Sequence, residues 1–369
     1  MKRLLVLLFL TSAFAFSVYE AAETCGEQCK RENDCACGSV TSPIAISSTP
    51  QFVTLTFDDS ATALNYDQYY EKLLFDRKNP DGKPISATFY VPHEYTDYGV
   101  VNKLYNKGFE IGTHSVTKQE VEYWKNATKD QLTLEFSDSK QIISKFANIA
   151  IDDILGARTP HFQISGDNTV GAYVAAKLKY DSSFVTLSSN PVFPFTLEYN
   201  MNDPCTIGEC PTESYPGFWL LPIINLKRTS NIDCNALTTC EIKGSAEEIK
   251  NWFVEQFNRF YTSNRAPMTL LLNSVWFQLV ENSYAGFELF LNYLGTQKDV
   301  FLVSHSEVIA WSRKPVAIND YKTNHKTNSQ SCLNLPCRLN FEQIQQERMM
   351  TSCVPCPKKY PWIGNPNGN

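Results

Sequence analysis

Four short polar clusters contain the side chains of this chain that are best suited to chemistry. Adjacent carboxylates at a strand end point to different sides, so one can bind a cation while the other accepts a proton. A nearby histidine can complete a metal site, and an arginine can keep the proton-accepting carboxylate ionised. Each cluster alone is more often a turn or a helix cap, but four in this order favour a shared site. The clusters are Thr56-Phe57-Asp58-Asp59, His114-Ser115-Val116-Thr117, Arg158-Thr159-Pro160 and Asp181-Ser182-Ser183.

The elements that must position these clusters alternate between strand and helix. The hydrophobic pattern predicts helices over 100–107, 128–150 (with Thr128 as N-cap), 245–261 and 283–294. At least six repeats of this alternation favour a parallel sheet, open or closed, with helices outside and sites at the strand ends. The predicted strands are 51–57, 85–91, 109–113, 154–157, 179–184, 218–223, 268–272 and 300–303.

Composition and the first residues indicate a secreted globular protein. The 369 residues include 39 acidic and 33 basic side chains, a net charge of −6, and no basic cluster, which argues against a nucleic-acid partner. Lys2 and Arg3, the apolar run 4–10 and Ala13-Phe14-Ala15 predict a signal peptide over 1–15, with a buried N-terminal helix as the alternative. No later stretch approaches the roughly 20 apolar residues that span a bilayer, so we expect no membrane span.

Twelve cysteines lie in three groups of four, outside the predicted strands. An even count in a secreted chain predicts disulfides. Cys205–Cys210 and Cys234–Cys240 are natural pairs, although spacing leaves the full connectivity open, and Cys353-x-x-Cys356 alone is a poor zinc half-site. We therefore divide the mature chain into a cysteine-rich segment (16–45), a barrel (46–315) and a cysteine-rich tail packing on it (316–369). Asn126-Ala127-Thr128 is an acceptor sequence for N-glycosylation.

The four clusters resemble the first four motifs of the NodB-homology polysaccharide deacetylases, and more closely the secreted chitin deacetylases of insects. The resemblance covers roughly residues 45–315, and the C-terminal sequence is similar to that of short, gut-type members. The matching stretches are TFDD (56–59), HSVT (114–117), RTP (158–160), YDSS (180–183), ATFYV (87–91), HEYT (93–96), NRAP (264–267) and MTSCVPCP (350–357).

This resemblance implies a distorted (β/α) barrel with disulfide-rich extensions, which removes acetyl groups from N-acetylglucosamine units. In the family, one aspartate and two histidines hold a divalent metal, usually zinc, and a further histidine protonates the leaving amine. By position, Asp58 is the general base, Asp59 and His114 are metal ligands, Arg158 orients Asp58, and Asp181 supports the arginine. Chitin or its oligomers are the implied partners, and the gut lining matrix is the implied location.

Two positions depart from the family pattern. Lys118 stands where the second metal histidine is expected, and a protonated ammonium cannot ligate a metal. Asn273 stands where the acid histidine is expected, and an amide cannot protonate an amine. A zinc site is therefore doubtful here. If residues 114–118 form a helical turn, Lys118 shares a face with His114, and its charge is expected to pair with Asp59.

The sequence leaves three hypotheses open. The first is a family member with impaired deacetylase activity that binds chitin. The second is an active deacetylase with a modified site, for which His161 is the better substitute histidine and His305 the lesser, while His93 and His325 complete the set. The third is a disulfide-rich structural component of an extracellular matrix.

Overall fold

The computed structural model describes residues 21–201 and 204–369, so the predicted signal peptide lies outside the described residues. The strands are β1 Gln51–Phe57, β2 Thr88–Val91, β3 Glu110–Thr113, β4 Gly156–Ala157, β5 Tyr180–Asp181, β6 Val185–Thr186, β7 Phe195–Leu197, β8 Tyr215–Leu220, β9 Ile223–Ile224, β10 Leu226–Lys227, β11 Asp233–Cys234, β12 Met268–Leu272, β13 Val300–Leu302, β14 Leu335–Phe341 and β15 Gln346–Ser352. The helices are α1 Ala63–Asn65, α2 Glu71–Leu74, α3 Tyr98–Asn106, α4 Val121–Asn126, α5 Lys129–Ala147, α6 Asp167–Ala175, α7 Ala246–Tyr261, α8 Ser274–Leu279, α9 Ser283–Gly295 and α10 His305–Arg313.

A sheet of nine strands forms the centre of the molecule. Its order is β12-β1-β2-β3-β4-β5-β8-β7, with β13 also paired to β1, and every pairing is parallel except that of β7 with β8. Val53 pairs with both Met268 of β12 and Leu302 of β13, while Phe57 pairs with Leu272 and with Phe89 of β2. Thus β13 and β2 share the side of β1 opposite β12. The predicted α/β fold is confirmed, and these pairings agree with a distorted barrel.

The helices begin where the sequence supplies caps. Thr128 and Ser245 each form a capping box, with Gln131 and Glu248 respectively, at the start of α5 and α7. The predicted bounds of β1 and β12 are confirmed, whereas the second strand begins at Thr88 instead of Ile85. The predicted helix over 128–150 was too long, because Asn148 takes a left-handed conformation (φ +52°) and ends it.

Six disulfides join all twelve cysteines, and the prediction of a disulfide framework is confirmed. Both natural pairs of the middle group form, and Cys353 and Cys356 bond to separate partners instead of sharing a metal. No helix among the described residues has the length and apolar character needed to cross a membrane. The pairs are Cys25–Cys37, Cys29–Cys35, Cys205–Cys210, Cys234–Cys240, Cys332–Cys353 and Cys337–Cys356.

Candidate functional site

Asp58 and Arg158 form a buried ion pair at the carboxyl end of β1. Arg158 Nη1 lies 2.7 Å from Asp58 Oδ1, and the arginine side chain is fully buried while 13% of the Asp58 side chain remains exposed. Burial raises the pKa of the Asp58 carboxyl, and the charges of Arg158 and Lys118 oppose that rise. The residue expected to orient Asp58 therefore does contact it.

The Arg158 guanidinium is fixed by several further partners. Its Nη1 also donates to Thr56 Oγ1, its Nε donates to the Ser182 carbonyl, and its Nη2 donates to Ser182 Oγ. The guanidinium carbon lies 4.3 Å from the centroid of the Tyr90 ring, a cation–π distance. With one face over Tyr90 and its N–H edges engaged, the arginine has little freedom to leave Asp58.

Asp181 acts on Arg158 through the turn that follows β5. Its carboxylate accepts hydrogen bonds from the Ser183 N–H (3.0 Å), the Ser183 hydroxyl (2.6 Å) and the Tyr173 hydroxyl (3.1 Å). These bonds fix the turn in which Ser182 presents its two acceptors to Arg158. The sequence pattern named Asp181 but gave no role to Ser182 or Tyr90, because both depend on contacts between separate strands.

His114 is held in the tautomer that a metal ligand needs. Its Nδ1 lies 2.8 Å from the Arg158 main-chain oxygen, and since a carbonyl only accepts, Nδ1 carries the proton. The lone pair then resides on Nε2. Burial lowers the pKa of this imidazole well below its usual value, and the charge of Lys118 adds to the effect, so His114 is neutral near pH 7.

Asp59 and Asn273 both cap helix α8. The Ser274 N–H donates to Asp59 Oδ2, and the Val275 N–H donates to Asn273 Oδ1 at 2.9 Å. These two acceptors satisfy N–H groups of the first turn, which have no partner within the helix. Asn273, which stands where the resemblance implied an acid histidine, therefore has a structural contact in this chain.

Lys118 lies beside Asp58 but not in the arrangement predicted from the sequence. Its ammonium nitrogen is 3.3 Å from the Asp58 main-chain oxygen, and the ion pairs of the described residues do not join it to Asp59. The segment 114–118 is not helical, since Ser115 and Lys118 have φ values of +76° and +46°. Buried Glu135 of α5 explains this shape, because it accepts the N–H groups of both Val116 and Thr117 at 3.0 Å.

A cavity of about 170 Å³ joins these side chains to the surface. Asp58, His114, Lys118, His161 and Asn273 all line it. The exposed His161 has its Nε2 3.2 Å from the Gln119 main-chain oxygen. Of the candidate site residues, Asp58, His114 and Asn273 thus meet in one cavity, whereas Asp59, Arg158 and Asp181 do not line it.

The other three histidines lie elsewhere. His93 is buried between the Tyr98 hydroxyl (2.6 Å) and the Pro361 main-chain oxygen (2.8 Å). His305 is buried between the Tyr90 hydroxyl (2.6 Å) and Thr54 Oγ1 (3.0 Å). His325 lines a different cavity, next to Phe75 and Phe109. His305, the lesser of the two substitute histidines considered from the sequence, therefore does not line the Asp58 cavity.

The residues present do not fit a three-ligand metal site. His114 has the right tautomer, and Asp59 accepts from Ser274 with only one of its two oxygens, but the third position carries an ammonium with no lone pair. Within residues 21–201 and 204–369, no three ligand atoms drawn from Asp58, Asp59, His114 and His161 lie within 4.8 Å of one another. This donor set differs from the Asp-His-His set that the resemblance implied.

Comparisons with known proteins agree with the motifs. The family model for polysaccharide deacetylase matches residues 46–180. Chitin deacetylase 8 of Bombyx mori is 36% identical over the full length of both chains. Chitin deacetylase 1 of Bombyx mori is 31% identical over 87% of this chain and 63% of that protein.

Solved structures are more distant. A putative polysaccharide deacetylase from Mycobacterium smegmatis aligns with a TM-score of 0.47 and 13% identity, covering 80% of this chain and 98% of that one. A family 4 acetyl xylan esterase from Clostridium thermocellum, solved in complex with a cobalt ion, aligns with a TM-score of 0.41 and 15% identity, covering 75% and 98% of the two chains.

Proposed function

This chain belongs to the polysaccharide deacetylase family and is a homologue of insect chitin deacetylases, and we propose that it binds chitin or its oligomers in the Asp58 cavity with little or no hydrolysis. The observation that carries this proposal is the position of Lys118. Its ammonium occupies the cavity beside His114 and donates to the main chain of Asp58. A cation there repels a second cation and offers it no lone pair.

The state of Asn273 also supports weak or absent hydrolysis. An amide cannot supply the proton that a leaving amine needs, and this one already accepts a helix hydrogen bond from Val275. Asp58, by contrast, keeps its arginine partner and its partial exposure. On this proposal the cavity retains polar groups for binding a sugar acetamide but lacks the groups that complete its hydrolysis.

We place the protein outside the cell, in a chitin-containing matrix such as the gut lining. Six disulfides and the predicted leader over 1–15 support secretion, because such bonds persist in oxidising compartments. The full-length likeness to an insect chitin deacetylase supports chitin as the polymer.

The test compares the wild type with the double variant Lys118→His, Asn273→His. We expect the purified wild type to bind N-acetylglucosamine oligomers in calorimetry, to contain substoichiometric zinc, and to release no acetate from them. The double variant should gain zinc and measurable acetate release, and Asp58→Asn should abolish that activity. Lys125→His, on an exposed residue of α4, serves as the matched control and should change neither zinc content nor activity.

A second candidate function is an active deacetylase with a modified site. The observation that favours it is that His161 lines the same cavity as Asp58 and His114. It predicts that wild type releases acetate and that His161→Gln abolishes the release while oligomer binding persists. Acetate release by wild type with bound zinc would replace the first proposal by this one.

A further inference from the structure

A cavity of about 440 Å³ lies at the edge of the sheet opposite the Asp58 cavity. Its lining includes Leu155 and Lys179, which precede β4 and β5, together with the first half of β8. Because β1, β2, β3, β4, β5 and β8 are paired in parallel, residues that precede these strands lie at the amino edge of the sheet, whereas Asp58 follows β1 at the carboxyl edge. The linings of the two cavities share no residue, so this amino-edge cavity is separate from the candidate site.

Three lysines that are distant in the sequence line the amino-edge cavity. Lys140 belongs to α5, Lys177 follows α6, and Lys179 precedes β5. Among the described residues of the lining, Asp152 alone is acidic. Three ammonium groups and one carboxylate give the lining a formal charge of +2, in a chain whose net charge is −6. This local surplus of positive charge favours an anion as the ligand.

Main-chain contacts hold the three lysines in place. The Lys179 N–H donates to the Leu155 carbonyl at 2.7 Å. The Lys177 N–H donates to the Val174 carbonyl at 3.0 Å, and the Lys177 carbonyl accepts from Lys140 Nζ at 3.1 Å. Because these contacts already order the main chain, an anion entering the cavity would lose little affinity to the cost of ordering it.

Lys140 is the buried member of the three. It is only 5% exposed, whereas Lys177 and Lys179 are exposed. Its ammonium has three donors, of which the Lys177 carbonyl takes one, and within the described residues it forms no ion pair. Burial lowers the pKa of Lys140, Asp152 opposes that fall, and the charges of Lys179 and Lys177 add to it. An anion in the cavity would therefore accept the remaining donors and reduce the repulsion among the lysines.

The rest of the lining offers apolar surface for an organic group. Leu155 and Val174 are half-buried there, and Phe218 forms part of the wall. The cavity volume falls within the roughly 300–1,000 Å³ of small-molecule sites. We propose that the amino-edge cavity binds a small phosphate monoester, whose phosphate contacts the three lysines and whose organic group packs on the apolar wall. Such a phosphate carries about −1.5 to −2 charges at pH 7, which matches the charge of the lining better than a singly charged carboxylate or sulfate ester does.

Isothermal titration calorimetry with phenyl phosphate at pH 7 and low ionic strength tests this inference. Wild type should bind one equivalent with a dissociation constant below about 1 mM. Phenyl sulfate has a single charge, and inorganic phosphate has no apolar group. Each should therefore bind at least about fivefold more weakly than phenyl phosphate.

Replacing single lysines locates the binding. Lys140→Met keeps an apolar side chain of similar length and should weaken phenyl phosphate binding at least about tenfold. Lys179→Met should weaken it about threefold to tenfold, because this exposed ammonium is more strongly screened by water and salt. Lys298→Met is the matched control. Lys298 is exposed and precedes β13 at the same edge of the sheet but does not line the cavity, so its replacement should leave the affinity unchanged.

Two results would overturn the inference. One is a dissociation constant above about 1 mM for phenyl phosphate and wild type. The other is an equal affinity of the Lys179→Met and Lys298→Met variants, which would place the anion outside the amino-edge cavity. Should Lys140→Met fail to fold, Lys179→Met still decides, because the Lys179 side chain is exposed. Neither result bears on the function proposed for the Asp58 cavity, since the two cavities share no residue.

Discussion

Replacing Arg158 by methionine removes the guanidinium that fixes Asp58 while keeping a side chain of similar length. The arginine is fully buried and Asp58 is 13% exposed, so the change leaves a largely buried carboxylate without its charge partner. Loss of one member of a buried pair typically costs about 3–5 kcal/mol. The residual exposure of Asp58 places the expected loss in the lower part of that range, at about 3–4 kcal/mol.

The corresponding shift in melting temperature follows from the unfolding entropy. At about 2.1 cal/mol/K per residue, 369 residues give roughly 0.8 kcal/mol/K, so the melting temperature should fall by about 4–5 °C. Scanning calorimetry at pH 7 with the disulfides intact measures this shift. The acceptors on Ser182 and Thr56 also lose their donor, which acts in the same direction.

Arg338→Met is the control for this prediction. Arg338 pairs with Glu347 on the C-terminal hairpin, and the two side chains are 71% and 58% exposed. Exposed pairs contribute about 0–1 kcal/mol, so the melting temperature should change by about 1 °C or less. If Arg158→Met is no more destabilising than Arg338→Met, the buried pair does not organise the site and the reasoning is wrong.

Three further predictions concern the framework around the site. Removing Cys332–Cys353, with a separation of 21 residues, by paired serine substitutions should cost about 3 kcal/mol in denaturant unfolding, and titration of the unfolded wild type should detect no free thiol. Asn273→His alone should lower the unfolding free energy by about 0.5–2 kcal/mol through loss of the α8 cap, whereas Asn273→Asp should keep the cap. The single histidine should also restore no acetate release. A clear gain of activity from it would contradict the proposed lack of a metal site. Burial lowers the pKa of His93 to about 4, so between pH 6.5 and 4 the unfolded chain binds a proton on this imidazole that the folded chain does not. The contribution of neutral His93 to the unfolding free energy is therefore complete above pH 6.5, and the unfolding free energy should fall by roughly 3 kcal/mol as the pH drops to 4. His93→Gln should remove this dependence on pH.

The sequence predicted the elements whose signals are local. The strands β1 and β12 are short runs rich in Thr, Val, Leu and Phe, and their bounds were correct. The start of α5 at its Thr128 cap was also predicted, since the residues of a capping box lie within four consecutive positions. The meeting of Asp58, His114 and Arg158 followed because parallel strands share one carboxyl edge.

The rest depends on contacts between distant parts of the chain. The shape of the loop containing Lys118 is set by Glu135, and spacing from His114 alone wrongly suggested a helical turn. The engagement of Asp59 by Ser274 joins residues 215 positions apart. The hairpin β14–β15 was missed, although Cys337, Leu339 and Phe341 alternate with exposed residues as an edge strand does.

The pairing of the cysteines also bears on how this chain matures during synthesis. Each group of four closes within itself, so an emerging group needs no partner from later in the chain. Four cysteines permit three pairings, and the three groups use all three patterns: nested at the N-terminus, successive in the middle and interlaced at the C-terminus. The first two patterns can oxidise one bond at a time. The interlaced pairs, Cys332–Cys353 and Cys337–Cys356, require the hairpin register to form first, so errors of oxidation should concentrate in this C-terminal group.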